Sequence, residues 1–186
     1  EGNKTTMFAH IGTGNFNGDT AKIYTDHSLL TSHKHITAEV EKLFQFYTDN
    51  LKTGNYKHLL VSPFFMRKQF HHLINREIQN AKSGKHSGIT IKLNNLVDPE
   101  MIGKLYEASS QGVKIKLIIR GMCALVSGVK GLSQNIEAIS IVDKFLEHSR
   151  VFVFHNDSVP KYFLASADWM ARNLDHRSEV AVPIYD

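Results

Sequence analysis

The sequence SIVDKFLEHSRVFVFHNDSVPKYFLASADWMARNLDHR, residues 140–177, decides how this chain folds. It contains two apolar runs, at 151–154 and 162–164, and the residues between them include the turn formers Asn156 and Asp157. Short apolar runs that flank such a turn are typical of two paired strands. The stretch therefore predicts a β-hairpin that brings polar groups to one edge of a sheet.

Polar side chains lie at the open end of this predicted hairpin. His148 and Arg150 precede the first strand, and Ser166 and Asp168 follow the second. An imidazole, a guanidinium, a hydroxyl and a carboxylate at one sheet edge form a set that can handle phosphate groups. From the residues alone, the alternative is that His148 is a surface histidine at the start of a strand.

The composition predicts a soluble globular protein. The chain has 186 residues, 42% hydrophobic and 22% charged, which is enough for one domain or one and a half. No apolar run approaches the ~20 residues of a membrane span. The single cysteine, Cys123, excludes an internal disulfide and suits a reducing cytoplasm.

The charge pattern favours a small anionic ligand. The net charge is only +4 and no tract is rich in lysine and arginine, so we expect no nucleic-acid partner. A few placed cations that hold an anion fit this balance better than a long charged surface does. The chain opens EGNKTTMFAH, with no initiator methionine or signal peptide, which suggests a piece of a longer protein.

The middle of the sequence alternates strand and helix patterns. Strand-like runs lie at 89–93 and 113–119, and Asp98-Pro99 between them is typical of a helix start. Ser62-Pro63 predicts the start of another helix, which runs to about residue 81 with Phe65 facing inward. This order predicts an α/β sheet with parallel strands, because crossover helices must cover its faces.

An amphipathic helix is predicted at 36–47, with Thr31 or Ser32 as its N-cap. The apolar residues on its inward face are Ile36, Val40, Leu43, Phe44 and Tyr47. The polar segment 48–56 follows this helix and separates two differently patterned halves. It is therefore the best candidate for a linker.

Two parts of the sequence resemble each other at an offset of 153 residues. Residues 11–15 (IGTGN) align with residues 164–168 (LASAD), and each copy has an apolar, a small, a hydroxyl and a small residue before Asn or Asp. Tyr24 aligns with Arg177 at the same offset. This internal similarity, called the sequence echo below, predicts that the chain holds the end of one α/β unit and most of a second. The polar patches of the two units would line a shared cleft.

The chain also resembles a known family at six motifs, which are HIGTGNFN (10–17), KIYTDHSLLT (22–31), GITIKLNNLVD (88–98), IIRGMCAL (118–125), SIVDKFLEHSR (140–150) and SADWMARNLDHR (166–177). These motifs resemble the C-terminal catalytic region of the bacterial polyphosphate kinases, the ATP–polyphosphate phosphotransferases. The resemblance implies two phospholipase D-like domains that face each other, each with a mixed or parallel sheet flanked by helices. Residues 1–56 would end the first domain, and residues 57–186 would form most of the second, truncated at its C-terminus.

The resemblance also implies an activity. The family transfers the γ-phosphate of ATP reversibly to inorganic polyphosphate, through a phosphohistidine and with Mg²⁺. The phosphorylated histidine and the arginines linked to Mg²⁺ lie upstream of the residues present here. We therefore expect no nucleophile and no metal ligand in this chain, and an inactive isolated fragment.

The same resemblance implies partners and a location. The partners would be ATP, ADP and inorganic polyphosphate, and the full-length protein would form a homo-oligomer. We expect a cytoplasmic protein, with association to a membrane left open.

Three positions match residues that contact ATP in the family, namely Tyr24, Arg120 and His148. Arg120 follows a strand, where α/β sheets present ligands, and can bind two phosphate oxygens or instead form a salt bridge. Tyr24 can donate its hydroxyl to a phosphate or be a half-buried core residue. His148 is expected to act as an acid, or to stabilise charge on the transferring phosphoryl group. Arg150 stands where the family's His-x-Lys pattern has lysine.

Further residues are expected to support this site. Arg177 is expected to bind ATP or polyphosphate, whereas Arg172 would bind the polymer or be a solvated surface residue. His10 matches another family histidine and is either a supporting or a plainly structural residue. The residues expected to orient the imidazoles and the backbone through hydrogen bonds are Thr13, Asn15, Ser166 and Asp168.

Two other functions remain open from the sequence. A phospholipase D-like phosphodiesterase or phosphatidyltransferase would share the fold, but that group needs His-x-Lys followed by Asp in both halves, and residue 150 is Arg. A non-catalytic module that binds ATP or polyphosphate is the alternative for the isolated fragment, because the expected nucleophile is absent from it.

Overall fold

The structure, a computed structural model, describes residues 5–49, 51 and 54–185. Its elements in chain order are β1 (Ala9–Gly12), a 3₁₀ turn (Thr20–Lys22), β2 (Tyr24–Thr25), β3 (Ser28–Thr31), α1 (Lys34–Thr48), β4 (Leu60–Ser62), α2 (Met66–Lys82), β5 (Gly88–Leu93), α3 (Pro99–Ser110), β6 (Lys114–Ile119), β7 (Ile136–Ile139), β8 (Leu146–Glu147), β9 (Arg150–Phe154), β10 (Lys161–Ala165), a π-helical turn (Arg172–His176) and β11 (Glu179–Ile184). The predicted α/β fold class, a mixed sheet flanked by helices, is confirmed.

A seven-stranded sheet with the order β4-β11-β10-β9-β5-β6-β7 forms the centre of the molecule. The strands β5, β6 and β7 are parallel, and the remaining neighbours in this sheet are antiparallel. The predicted hairpin is present as β9 and β10, with Arg150 opposite Ala165. Two small sheets complete the topology, an antiparallel pair of β1 with β3 and a parallel pair of β2 with β8.

The core lies between this sheet and the helices α2 and α3. Alternate residues of β5 are buried in it because side chains two positions apart share one face of a strand. Phe70 of α2, Phe152 of β9 and Trp169 form its aromatic centre, and each is fully buried. Asp98 caps α3 as predicted, and its side chain accepts a hydrogen bond from the Met101 N–H at 3.0 Å.

The predicted start of the second helix at Ser62-Pro63 is wrong. Ser62 is the last residue of β4, where it lies opposite Glu179, and its hydroxyl donates to the Asn173 carbonyl at 2.6 Å. These contacts hold Ser62 in the sheet, so α2 begins only at Met66. Phe65 precedes the helix and is exposed rather than inward.

The first helix also differs in detail from its prediction. Its N-cap is His33, and the Thr31 hydroxyl accepts a hydrogen bond from the His33 N–H instead of capping the helix. Ile36 and Leu43 are buried, whereas Phe44 and Tyr47 are exposed. The buried face also includes the polar residues Thr37 and Glu39, so it is not the face that the apolar pattern predicts.

The predicted linker at 48–56 is only partly described, because residues 50, 52 and 53 lie outside the described residues. Tyr56 at its end is buried and packs with Leu59 and Val61, so that end belongs to a core cluster. The division into domains at 1–56 and 57–186 stays a prediction. No helix among the described residues is both long and apolar enough to cross a membrane.

Candidate active site

His148 lies in the short turn between β8 and β9. The turn is fixed by β2, because the backbone N–H groups of His148 and Ser149 both donate to the Thr25 carbonyl at 3.1 Å. The parallel pairing of β2 with β8 supports the same contact. A distant part of the sequence therefore sets the position of the histidine backbone.

The imidazole of His148 pairs with Asp26. Its Nδ1 lies 3.0 and 3.1 Å from the two carboxylate oxygens, and the Thr13 hydroxyl donates to the same carboxylate at 2.6 Å. The Tyr24 ring packs against the imidazole, with 4.8 Å between ring centroids. Asp26 was not predicted from the sequence. Its position two residues after Tyr24 in an extended segment could have identified it.

Arg150 joins the two parts of the sequence echo. Its Nη1 donates to the Thr13 carbonyl at 2.9 Å and lies 3.1 Å from His148 Nε2, while Nε donates to Asp168 at 3.2 Å. Both Arg150 and Asp168 are buried. A buried carboxylate and guanidinium of this kind are held by each other and by their hydrogen bonds. Arg150 therefore connects Thr13 to Asp168, while the shared cleft expected from the echo stays a prediction.

The surroundings lower the pKa of His148. Burial of the imidazole and the positive charge of Arg150 both disfavour its protonated form, and together they outweigh Asp26. A neutral imidazole that donates from Nδ1 to Asp26 can accept at Nε2 from Arg150 Nη1, which lies 3.1 Å from Nε2 and 3.3 Å from Nδ1. Without a bound anion the site therefore favours neutral His148.

The pKa of Asp168 is also lowered, and for a carboxyl group this favours the charged form. Burial alone would raise the pKa of its carboxyl, but Arg150 and the hydrogen bonds from the Asn94 N–H and the Asn95 amide hold the pKa below its usual range. Asp168 is therefore a charged anchor for Arg150 at neutral pH.

Arg120 connects to His148 through Asn94. Asn94 accepts from Arg120 Nε at 3.0 Å and donates from its side-chain amide to the His148 carbonyl at 3.3 Å. Asn94 was not predicted. It directly follows β5, and Arg120 directly follows the parallel β6, so both lie at the carboxyl ends of neighbouring strands.

Two cavities flank β2 at this site. One, of about 500 Å³, is lined by the loop 12–18 together with His10, Tyr24 and Asp26. The other, of about 330 Å³, is lined by Ile23, Arg120 and the segment 141–147. Tyr24 and Arg120 therefore border different cavities, with the His148 turn near both, and the three do not line one pocket.

The sequence echo is repeated in the hydrogen bonds. The Thr13 hydroxyl donates to the Asp26 carboxylate and accepts from the His27 N–H. The Ser166 hydroxyl likewise donates to the Glu179 carboxylate and accepts from the Val180 N–H. In each pair, the hydroxyl residue and the carboxylate residue are thirteen positions apart in sequence. Ser166 therefore belongs to a second copy of the arrangement that positions Asp26.

Several predicted residues lie at the rim of the site. His10 and Asn15 border the larger cavity, and His10 packs its ring against Phe16 at 4.6 Å between centroids. Arg172 and Arg177 are exposed, and their side chains have no polar partner among the described residues. The structure therefore leaves both arginines free to meet an anion without bringing them into the His148 cluster.

A metal site is not formed by these side chains. Among residues 5–49, 51 and 54–185, no group of three His, Cys, Asp or Glu side chains is arranged to hold a metal ion. The described residues alone do not fit a Mg²⁺ centre, and the expected Mg²⁺ stays a prediction.

Two family models match the chain. The model described as polyphosphate kinase C-terminal domain 2 matches residues 59–186, and the one described as polyphosphate kinase C-terminal domain 1 matches residues 1–53. The polyphosphate kinase of Vibrio parahaemolyticus is 55% identical over all 186 residues, and that of Escherichia coli K12 is 50% identical over the same length. The chain spans 27% of each of these relatives.

A solved structure agrees with this match. The crystal structure of the polyphosphate kinase from Porphyromonas gingivalis superimposes with a TM-score of 0.93 at 42% identity, and the match covers 97% of this chain and 28% of that one. Sequence and fold therefore agree over nearly the whole chain. The chain belongs to the polyphosphate kinase family.

Proposed function

We propose that this chain forms part of an active site that transfers the γ-phosphate of ATP reversibly to inorganic polyphosphate. The observation that carries the proposal is the His148 imidazole held between Asp26 and Arg150, with the Tyr24 ring against it. The relatives that match the chain are polyphosphate kinases, which supports this choice of reaction. The chain spans only about a quarter of those relatives, so the rest of the site lies outside it.

The proposed reaction has two steps. A histidine outside this chain attacks the γ-phosphorus of ATP, the bond from that phosphorus to the bridging oxygen breaks, and ADP leaves with the electron pair. A terminal oxygen of polyphosphate then attacks the phosphorus of the phosphohistidine, the P–N bond breaks and returns its electron pair to the imidazole, and polyphosphate becomes one phosphate longer. Both steps run backwards when polyphosphate is the donor.

His148 would stabilise charge on the moving phosphoryl group. Burial and Arg150 lower its pKa in the free site, but a bound triphosphate is a dense negative charge that favours the protonated imidazole. The protonated ring can then donate a hydrogen bond to an equatorial oxygen or to the leaving nucleotide. Asp26 keeps Nδ1 occupied, so Nε2 would donate to the substrate after protonation, and its contact with Arg150 in the free site would then be released.

Arg120 and Tyr24 would bind phosphate groups from the two different cavities that flank β2. The Asn94 contact uses Arg120 Nε, and Nη1 and Nη2 have no partner among the described residues, so both can bind phosphate oxygens. The repeated hydroxyl–carboxylate pair suggests a second imidazole position beside Glu179, which fits a reaction that uses two histidines. Arg177 and Arg172 would attract the polyanion.

Other parts of the proposal concern the whole protein. Its partners would be ATP, ADP and polyphosphate rather than nucleic acid, and Mg²⁺ would be held by residues outside this chain. A homo-oligomer in the cytoplasm, with association to a membrane left open, completes the proposal.

The test is His148→Gln in the full-length protein. We expect ATP binding to stay within about threefold of wild type and phosphoryl transfer to fall by about 10²- to 10⁴-fold, the size of a general acid contribution. The matched control is His155→Gln, an exposed histidine at the other end of β9, which should leave transfer unchanged. Near-normal turnover by His148→Gln would contradict the proposed role.

A second experiment separates the alternatives left open by the sequence. Incubation of the 186-residue chain with γ-labelled ATP should give no phosphorylated protein, because the nucleophile is expected upstream. Labelled protein would show that the nucleophile lies within this chain. Hydrolysis of a phosphodiester by the full-length protein, without transfer from ATP, would favour the phosphodiesterase.

A further inference from the structure

Lys92 lies on β5, beneath the turn that carries His148. Its side chain is 15% exposed, and Nζ lies 3.0 Å from the Ser149 carbonyl, 2.8 Å from the Ser149 hydroxyl and 3.2 Å from a Glu147 carboxylate oxygen. These acceptors belong to the residues immediately before and after His148. Lys92 therefore grips the turn on both sides of the histidine.

The contacts of Lys92 use all the hydrogen-bond donors of its ammonium group, so none is left for a substrate. A lysine ammonium has three N–H donors, and the three acceptors around Nζ match that number. The charge is paired with Glu147, and Ser149 is buried. Removing the Lys92 ammonium from water costs hydration energy, so its ion pair with Glu147 is weak evidence that Lys92 stabilises the fold. We therefore attribute to Lys92 a role in the geometry of the turn.

The turn is held from two directions. Thr25 of β2 accepts from the backbone N–H groups of His148 and Ser149 on one side, and Lys92 binds Glu147 and Ser149 from the sheet. Asn94, two residues after Lys92 and directly after the end of β5, donates to the His148 carbonyl. With its backbone fixed at these points, the His148 ring has little freedom to leave Asp26.

We propose that Lys92 is a positioning residue that holds the Glu147–Ser149 turn, and through it aligns the His148 imidazole with Asp26 and with the phosphoryl group in transfer. The proposal rests on the proposed function for its effect on catalysis, whereas its effect on the His148 geometry does not. No bond to substrate is assigned to Lys92.

The first variant is Lys92→Met in the full-length protein, since methionine keeps most of the apolar stem and removes the three contacts. We expect kcat for transfer from ATP to polyphosphate to fall by about tenfold to hundredfold, the scale of a small misplacement of a catalytic group. KM for ATP should stay within about threefold, because no substrate contact is lost. Lys116→Met, on the exposed face of the neighbouring β6, is the matched control and should change neither constant.

The geometric readout is a crystal structure of the Lys92→Met protein. We expect the His148 ring to leave Asp26, so that the contact of 3.0 Å in the wild type is lost or only partly occupied. A ring that keeps this contact overturns the proposal, whatever the enzyme does. A large rise in KM with kcat unchanged also overturns it, since that result makes Lys92 a substrate-binding residue.

Two further variants keep the proposal testable if Lys92→Met does not fold. Ser149→Ala removes one acceptor of the ammonium and should lower kcat by about two- to fivefold, roughly the value of one hydrogen bond. Glu147→Gln keeps an oxygen acceptor while removing the charge, and should have a smaller effect than Ser149→Ala. A folded Ser149→Ala protein with wild-type kcat overturns the proposal.

The outcomes also distinguish this proposal from the proposed function. A wild-type protein that does not transfer phosphate from ATP refutes the function, and the position of His148 in the Lys92→Met crystal structure still decides the role of Lys92. A wild type that transfers phosphate, together with a fully active and well-folded Lys92→Met, refutes the role of Lys92 alone.

Discussion

At the scale of single residues, the chemistry of His148 depends on a few direct neighbours. Asp26 accepts from Nδ1 of the ring, Arg150 lies within 3.3 Å of both ring nitrogens, and burial together with Arg150 lowers the pKa of the imidazole. Asp26 favours the protonated imidazole, whereas Arg150 and burial favour the neutral one. A small displacement of Asp26 or Arg150 should therefore change the protonation of the ring as well as its position.

Gly14 is the residue where such a displacement can be produced most simply. A Cβ at this position would come 2.0 Å from Asp26 Oδ2, and the carboxylate is held by Thr13 and His148, so it cannot move without losing those bonds. We expect Gly14→Ala to lower phosphoryl transfer by the full-length protein by about tenfold, with little loss of stability.

The matched control for Gly14 is Gly18→Ala in the same loop. No atom lies within 4 Å of a Cβ built there, so its kcat should equal that of the wild type. Equal activity of Gly14→Ala and the wild type would show that Asp26 does not depend on this close approach.

The lowered pKa of His148 predicts how stability depends on pH. An unfolded histidine binds its proton near pH 6.5, while folded His148 resists protonation to a lower pH. The unfolded state therefore binds more protons as the pH falls through that window, and the folded state loses stability. In His148→Asn this component is absent, so its free energy of unfolding should fall less between pH 7.5 and pH 5.5.

Urea unfolding of both proteins at the two pH values checks this prediction. The window lies above the range in which Asp168 titrates, since an ordinary aspartate has a pKa of about 3.9 and Arg150 lowers that of Asp168 further. Parallel pH dependences of the two proteins would show that folded His148 titrates like an unfolded one.

At the scale of elements, one arginine ties three segments together. Arg67 of α2 binds Asp98, the N-cap of α3, at 2.8 Å, and Asp175 of the π-helical turn at 2.6 Å. The hydrogen bonds to Asp98 and Asp175 raise the pKa of Arg67 above its usual range, and the contact from Arg67 lowers the pKa of Asp98. Arg67 thus orients the turn that leads from Arg172 to Arg177.

We expect Arg67→Met to destabilise the protein by about 3 kcal/mol, because Asp98 is buried and would lose its charge partner. The π-helical turn should become more mobile, with faster amide hydrogen exchange at residues 172–177. Arg76→Met on the exposed face of the same helix is the control and should cost less than about 0.5 kcal/mol. An equal effect of both substitutions in urea unfolding would rule out the proposed tie.

At the scale of the whole molecule, the hydrophobic core between the seven-stranded sheet and the helices α2 and α3 supports the site. β9 carries Arg150 at one end and Phe152 in its middle, and the Phe152 ring lies 4.6 Å from Phe70 and 5.6 Å from Trp169 between centroids. The isolated bridge between Leu96 and Trp169 connects this aromatic cluster to the segment after β5. Packing in the core and the geometry of the site are therefore linked through the same strands.

We expect Phe152→Ala to lower the free energy of unfolding by about 3–5 kcal/mol, the usual cost of removing a buried phenyl ring. Val159→Ala in the exposed turn of the hairpin is its control and should be nearly neutral. Denaturant titration of the two variants measures both values. A loss below about 1 kcal/mol for Phe152→Ala would mean that this core can close the cavity.

The sequence by itself determined the features that depend on neighbouring residues. Asp98-Pro99 predicts the start of α3, because a cap and a proline act within one turn, and the apolar runs predict β5, β6 and the hairpin of β9 and β10. The offset of 153 residues also predicts that Thr13 and Ser166 occupy equivalent positions, and their hydrogen bonds match.

Tertiary structure alone decided which distant residues meet. Asp26 pairs with His148 across 122 residues of sequence, and no local pattern encodes that contact. Ser62 has the sequence of a helix cap, yet its bonds to Asn173 and its pairing with Glu179 hold it in the sheet. Local preferences are worth about 1 kcal/mol each, so sheet pairing and burial override them and bring His148, Asp26 and Arg150 together.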